Sequence, residues 1–149
     1  MTRASYLRMS IFAVAAMVHA IGMIAMSGTA SANQPTGFVC TFDAGTIRTY
    51  ENGAFKTKAA ETLSFTIGDI NLRAQNAALI TKKGKGGLKI VRAIGANHYL
   101  EVVTEGFLNI TTIYETADVS KGFPAVHSRH FGLLGMPVVS QYHGICKLN

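Results

Sequence analysis

The most reactive side chains in close succession are His127-Ser128-Arg129-His130. They lie in a stretch, Gly122 to Cys146, that holds three of the five histidines, two of the three prolines and the second of two cysteines. In a helical or tightly turned backbone, His127 and His130 share a face and could hold a metal. In an extended backbone they point to opposite faces, and His127 joins Arg129 and Phe131 instead. Pro124 before the cluster and Gly132 after it favour extended or irregular backbone. A zinc site needs further ligands, and His98, Glu101 and His143 are the residues available to supply them. No spacing frames such a set. No metal and no cofactor is therefore expected, with His127, His130 and His98 as the metal alternative.

Acyl-transfer chemistry needs a nucleophile, a base and an orienting acid that converge. Ser128 beside His127 and His130, with Glu101 or Glu105, supplies the residue types, but no nucleophile elbow frames them. Neighbours along a strand also cannot hydrogen-bond each other well, so no catalytic residue is assigned. A polar cluster can equally serve binding. Arg129 can grip a carboxylate or phosphate bidentately, and Tyr142 and His143 on the last strand could flank it. The candidate binding set is His127, Arg129, His130, Tyr142 and His143. The structural alternative is that Arg129 answers an internal acid, Glu101 or Glu115, and that the imidazoles bond backbone carbonyls in a loop at one end of the fold. Lys82-Lys83-Gly84-Lys85-Gly86-Gly87 could cradle phosphate only between a strand and a helix. A strand follows it, so it reads as a solvated basic hairpin tip.

The elements that must position these residues are strands. Phe38, Cys40 and Phe42 alternate along one face, as do Leu63, Phe65 and Ile67 within Thr62 to Ile70. Asn52-Gly53 is a strong hairpin signal between Thr46–Tyr50 and Ala54–Thr57. Further strands are expected near Ala77–Lys82, Leu88–Ile94, Asn97–Glu105 and Phe107–Glu115, then a loop from Thr116 to Phe123. Along Asn97–Glu105, His98, Leu100 and Val102 share one face, and Tyr99, Glu101, Val103 and Glu105 the other. Pro137 opens a last strand, Val138 to Cys146. Seven to nine short strands with Gly-containing turns and no long amphipathic helix indicate an all-β fold. The preferred form is a small antiparallel β-barrel, with a β-sandwich as the alternative.

The first residues bound the compartment. Arg3 and Arg8 precede an apolar run, Met9 to Met26, and Ala30-Ser31-Ala32 ends it. Basic start, apolar middle and small-residue exit make a secretory signal peptide over residues 1–32. The rival is an uncleaved anchor, because the run lies at the lower edge of the ~17–25 residues of a membrane span. Residues 33–149 then form a single β domain. Two of the charges in the net +6 belong to the leader, so the domain is only modestly basic. An exported domain without a basic–aromatic run is a poor nucleic-acid partner. In an oxidising compartment Cys40 and Cys146 are the one possible intrachain disulfide. It would join the first strand to the last and so favour closing a meander into a barrel. Free thiols or a bond between chains are the alternatives.

At Phe123-Pro124-Ala125-Val126-His127-Ser128-Arg129-His130 and Ser140-Gln141-Tyr142-x-Gly144-x-Cys146, the chain resembles small exported alphaproteobacterial proteins of unknown function. Gly106-Phe107-Leu108-Asn109-Ile110-Thr111-Thr112-Ile113-Tyr114 and the early Cys40 share the likeness. The resemblance covers most of residues 33–149. It implies a periplasmic or secreted location and the terminal disulfide, and it implies no activity. The expected protein is a disulfide-stapled β domain of the cell envelope, non-enzymatic, binding or structural. Its partner would be a small molecule in the barrel mouth or an envelope protein, and it would meet a membrane only through an uncleaved leader. The alternative is a metal-dependent or hydrolytic enzyme built on His127 and His130.

Overall fold

A computed structural model describes residues 34–104 and 107–149; the leader read at residues 1–32, and Glu105 and Gly106, lie outside them. The described residues form nine strands: β1 (Phe38–Glu51), β2 (Ala54–Ala59), β3 (Leu63–Asn71), β4 (Asn76–Thr81), β5 (Gly84–Ala93), β6 (Ala96–Thr104), β7 (Phe107–Tyr114), β8 (Phe123–Leu133) and β9 (Met136–Leu148). A short 3-10 turn at Val119–Lys121 lies in the loop before β8. All pairings are antiparallel between sequential neighbours except at β1, which also pairs with β3 and β9. The β1–β9 pairing closes eight strands into a barrel and removes the exposed edges an open sheet would leave. The barrel, not the sandwich, is the fold.

The extra strand is β2. Along the same edge of β1, Phe38–Phe42 pairs with β3 and Thr46–Glu51 pairs with β2. β2 therefore runs on in line with β3, and all six of its residues are exposed. The β1–β2 hairpin turns at Asn52-Gly53 with positive φ at both residues, as the dipeptide demands. The β8–β9 hairpin uses Leu134-Gly135 with the same pair of positive φ values. Leucine is not a residue that signals such a turn, and the sequence reading marked none there.

Two further boundaries move. Gly84 to Gly87 are the first residues of β5, so the basic turn is only Lys82-Lys83. The stretch around His127 is not the loop of the structural alternative but an eleven-residue strand. Pro124 is tolerated near its start, where the missing N–H costs least.

Cys40 and Cys146 face each other across the closing seam and are bonded, with their Cα atoms 4.0 Å apart. Both are fully buried. A bulge at Asp43 sits beside them, where the register shifts between Phe42 and Ala44. The bulge needs Gly144 opposite: a Cβ there would lie 2.1 Å from the Thr41 carbonyl oxygen and 2.7 Å from Phe42 Cα. Two residues on, Gly45 leaves room for the Tyr142 ring, whose Cδ1 would stand 2.6 Å from an added Cβ. The core is the inward alternate set of the barrel strands, including Phe38, Phe42, Phe65, Ile67, Leu88, Ile90, Tyr99 and Ile113. An eight-stranded barrel has an interior just wide enough for side chains or one small ligand. Here side chains fill the middle, and space remains at the ends.

Candidate functional site

The site grows from the inward face of β8. Strand alternation sends Ala125, His127 and Arg129 into the barrel, while His130 is exposed on the outside. In register, His127 lies between Thr111 of β7 and Tyr142 of β9, and Arg129 lies between Asn109 and Ser140. The imidazole is only 4% exposed. Its ring centroid is 5.8 Å from that of Phe42, 5.1 Å from Phe65 and 5.9 Å from Tyr142. Those three rings exclude water from it.

The hydrogen bonds fix the ring's state. Arg129 Nε donates to His127 Nε2 at 3.1 Å, so Nε2 carries no proton. The proton is then on Nδ1, which donates to Thr111 Oγ1 at 2.8 Å. Burial first, and the Arg129 charge second, push the His127 pKa down from the ordinary 6.5 to about 3. His127 is thus a neutral spacer that orients Arg129, with both nitrogens engaged.

Arg129 is half-buried, and the Tyr142 ring lies beneath its guanidinium, with Cζ 5.8 Å from the ring centroid. On the neighbouring wall, Asn109 Nδ2 donates to Glu101 Oε2 at 2.8 Å. Among the described residues no ion pair joins Arg129 to Glu101 or Glu115. The expectation that an internal acid answers Arg129 is not met there. These groups border a cavity of about 370 Å³ at the end of the barrel that carries the 52–53, 82–83 and 134–135 turns, here the upper end. Leu63, Phe65 and Leu79 form its apolar side, Glu101, His127 and Arg129 its polar side, and Lys82 and Lys83 its rim. Above Arg129 on the same face, Phe131 stacks on Phe107 with centroids 5.4 Å apart.

The candidate residues separate into two groups. His127, Arg129 and Tyr142 converge inside the barrel. His130 and His143 are exposed on its outer face. His98 also faces outward, with Nδ1 2.9 Å from Thr112 Oγ1. The metal alternative of His127, His130 and His98 therefore spreads over both faces of the wall, and no group of three potential metal ligands occurs among the described residues. Ser128 lies on the opposite face of β8 from His127, so the two cannot form a nucleophile–base pair. Glu105 lies outside the described residues.

The sequence reading missed Thr111, Asn109, Leu63, Phe65, Leu79 and the lysine pair as parts of this site. The available signal was Asn109 and Thr111 falling in the same alternate set as Phe107 and Ile113, two polar residues on what proves to be an inward face.

The lower end holds a second cavity, about 330 Å³, lined mainly by Phe38, Leu72, Tyr99, Ile113, Phe123 and Leu148. Burial raises the Tyr99 phenol there to about 12. Its lining includes no basic side chain, which sets it apart from the upper site. No known family model matches the chain, and no curated protein matches its sequence.

Proposed function

We propose that the chain is an exported, non-enzymatic binding protein of the cell envelope that holds a small molecule in the upper mouth of its barrel. The observation that carries this reading is the convergence of a half-buried Arg129, the neutral His127 and Glu101 on a cavity with an apolar side. Ligand sites have this composition: mostly apolar walls with a few placed polar groups, in the mouth of a barrel. Export is supported by the basic, apolar and small-residue order of residues 1–32. A buried disulfide fits an oxidising compartment. Periplasmic retention or release to the medium both accord with these features, and so does the likeness to exported alphaproteobacterial proteins.

The test is mass spectrometry of protein exported by a bacterial host. The intact mass should correspond to a chain beginning at Asn33. Under native conditions the wild type should carry a small molecule at one per chain. Leu79→Trp, which fills the cavity, should lose it. An adduct retained in full by Leu79→Trp would place binding elsewhere and refute the proposal.

A further inference from the structure

The chemistry of the upper mouth also specifies a class of ligand. Arg129 brings a full positive charge to a half-buried position, where a charge is costly unless paired. Among the described residues its side-chain hydrogen bond is the one from Nε to His127 Nε2. That bond blocks the side-on approach to Nε and one Nη. The end-on approach, through both Nη groups, is the bidentate one that this bond leaves, and Arg129 lines the cavity. Tyr142 lies over one face of the guanidinium, so an acceptor must come in its plane.

Other charges set the ligand's own. His127 is neutral in its Nδ1–H form, because Nε2 accepts from Arg129. Glu101 adds a carboxylate to the same cavity, held by Asn109. Lys82 and Lys83 are exposed at the rim. Three cations, Arg129, Lys82 and Lys83, thus face one carboxylate around the cavity, which favours an anionic ligand, and Glu101 on the same polar side disfavours a second negative charge in the deep part. Opposite the polar side, Leu63, Phe65 and Leu79 offer only hydrocarbon. At about 370 Å³, the cavity is at the small end of the ~300–1,000 Å³ typical of ligand sites.

Resting on the binding function proposed above, we infer that the upper mouth takes a small monocarboxylate with an apolar body. Its carboxylate meets the two Nη groups of Arg129 end-on, and its hydrocarbon lies against Leu63, Phe65 and Leu79. His127 is the positioning residue that fixes the guanidinium plane.

The experiment is calorimetric titration of residues 33–149 with octanoate, its neutral isostere octanamide, and octyl phosphate. Octanoate should bind at least ~10-fold tighter than octanamide, as expected for a charge-assisted contact. Arg129→Gln should abolish the preference for octanoate over octanamide, and an unchanged circular dichroism spectrum shows that the barrel is intact. Arg129→Lys keeps the charge without the fork and should recover only part of the preference. Equal binding of octanoate and octanamide by the wild type would overturn the carboxylate inference and leave the mouth as a neutral site. Tighter binding of octyl phosphate would overturn the monoanion inference. Binding of none of the three would overturn this inference and count against the binding function as well. A preference for octanoate that survives in Arg129→Gln would remove Arg129 from the recognition.

Discussion

His127 makes the stability of the barrel depend on pH in a calculable direction. The folded chain holds this imidazole neutral down to about pH 3, whereas the unfolded chain protonates it near 6.5. Between those values the unfolded state binds one more proton than the folded state. Stability is therefore complete above about pH 6.5 and falls as the pH drops below it. The slope for one proton is about 1.4 kcal/mol per pH unit, which makes the loss roughly 2–3 kcal/mol between pH 6.5 and pH 4.5. That is a large part of the ~5–15 kcal/mol that stabilises a typical domain. The assay is urea denaturation at fixed ionic strength from pH 4.5 to 7.5, followed by circular dichroism because the chain has no tryptophan. The comparison is His127→Asn, whose amide can still donate to Thr111 but cannot titrate. His98, His130 and His143 remain in both proteins, so their contributions cancel. The wild-type curve should be steeper by about one proton. Parallel curves would refute the reasoning, because they would mean that His127 is as easily protonated in the barrel as in the unfolded chain.

Three predictions concern the closing seam. Replacing both Cys40 and Cys146 by alanine should lower the melting temperature sharply, since a bond across 106 residues removes roughly 4–5 kcal/mol of chain entropy in the loop-closure account. An unchanged melting curve would show that the bond does not staple the fold. Because both sulfurs are fully buried, thiol labelling after exposure to reductant should require denaturant. Gly144→Ala would drive a methyl group into the Thr41–Phe42 backbone. It should cost about 1–3 kcal/mol or more and speed amide exchange along β1 and β9; wild-type exchange there would contradict the bulge geometry.

Much of the fold was legible because the β signals are local. Phe38, Cys40 and Phe42 alternate unambiguously, Asn52-Gly53 allows little besides a tight turn, and two cysteines near the ends imply closure once paired. The site was less legible, for a reason that alternation cannot overcome. On β7, Leu108, Ile110, Thr112 and Tyr114 look as suited to a core as Phe107, Asn109, Thr111 and Ile113, yet the second set is the inward one. Only the register with β6 and β8 decides between them, and register depends on partners far along the chain. The same uncertainty kept His130 and His143 in the candidate set beside His127. The β8 strand was hidden because Pro124 and Gly132 weaken its propensity and Leu134-Gly135 is an unusual turn. The roles of Lys82 and Lys83 follow from the short β4–β5 hairpin beside the start of β3, a placement that sequence spacing does not express.

Binding in the upper mouth can be followed residue by residue in amide nuclear magnetic resonance spectra of residues 33–149 recorded during titration with octanoate. Saturable shifts are expected only at Leu63, Phe65, Leu79 to Lys83, and His127 to Arg129. Shifts clustered instead around Leu72, Tyr99 and Leu148 at the lower end, or no saturable shifts at all, would contradict it.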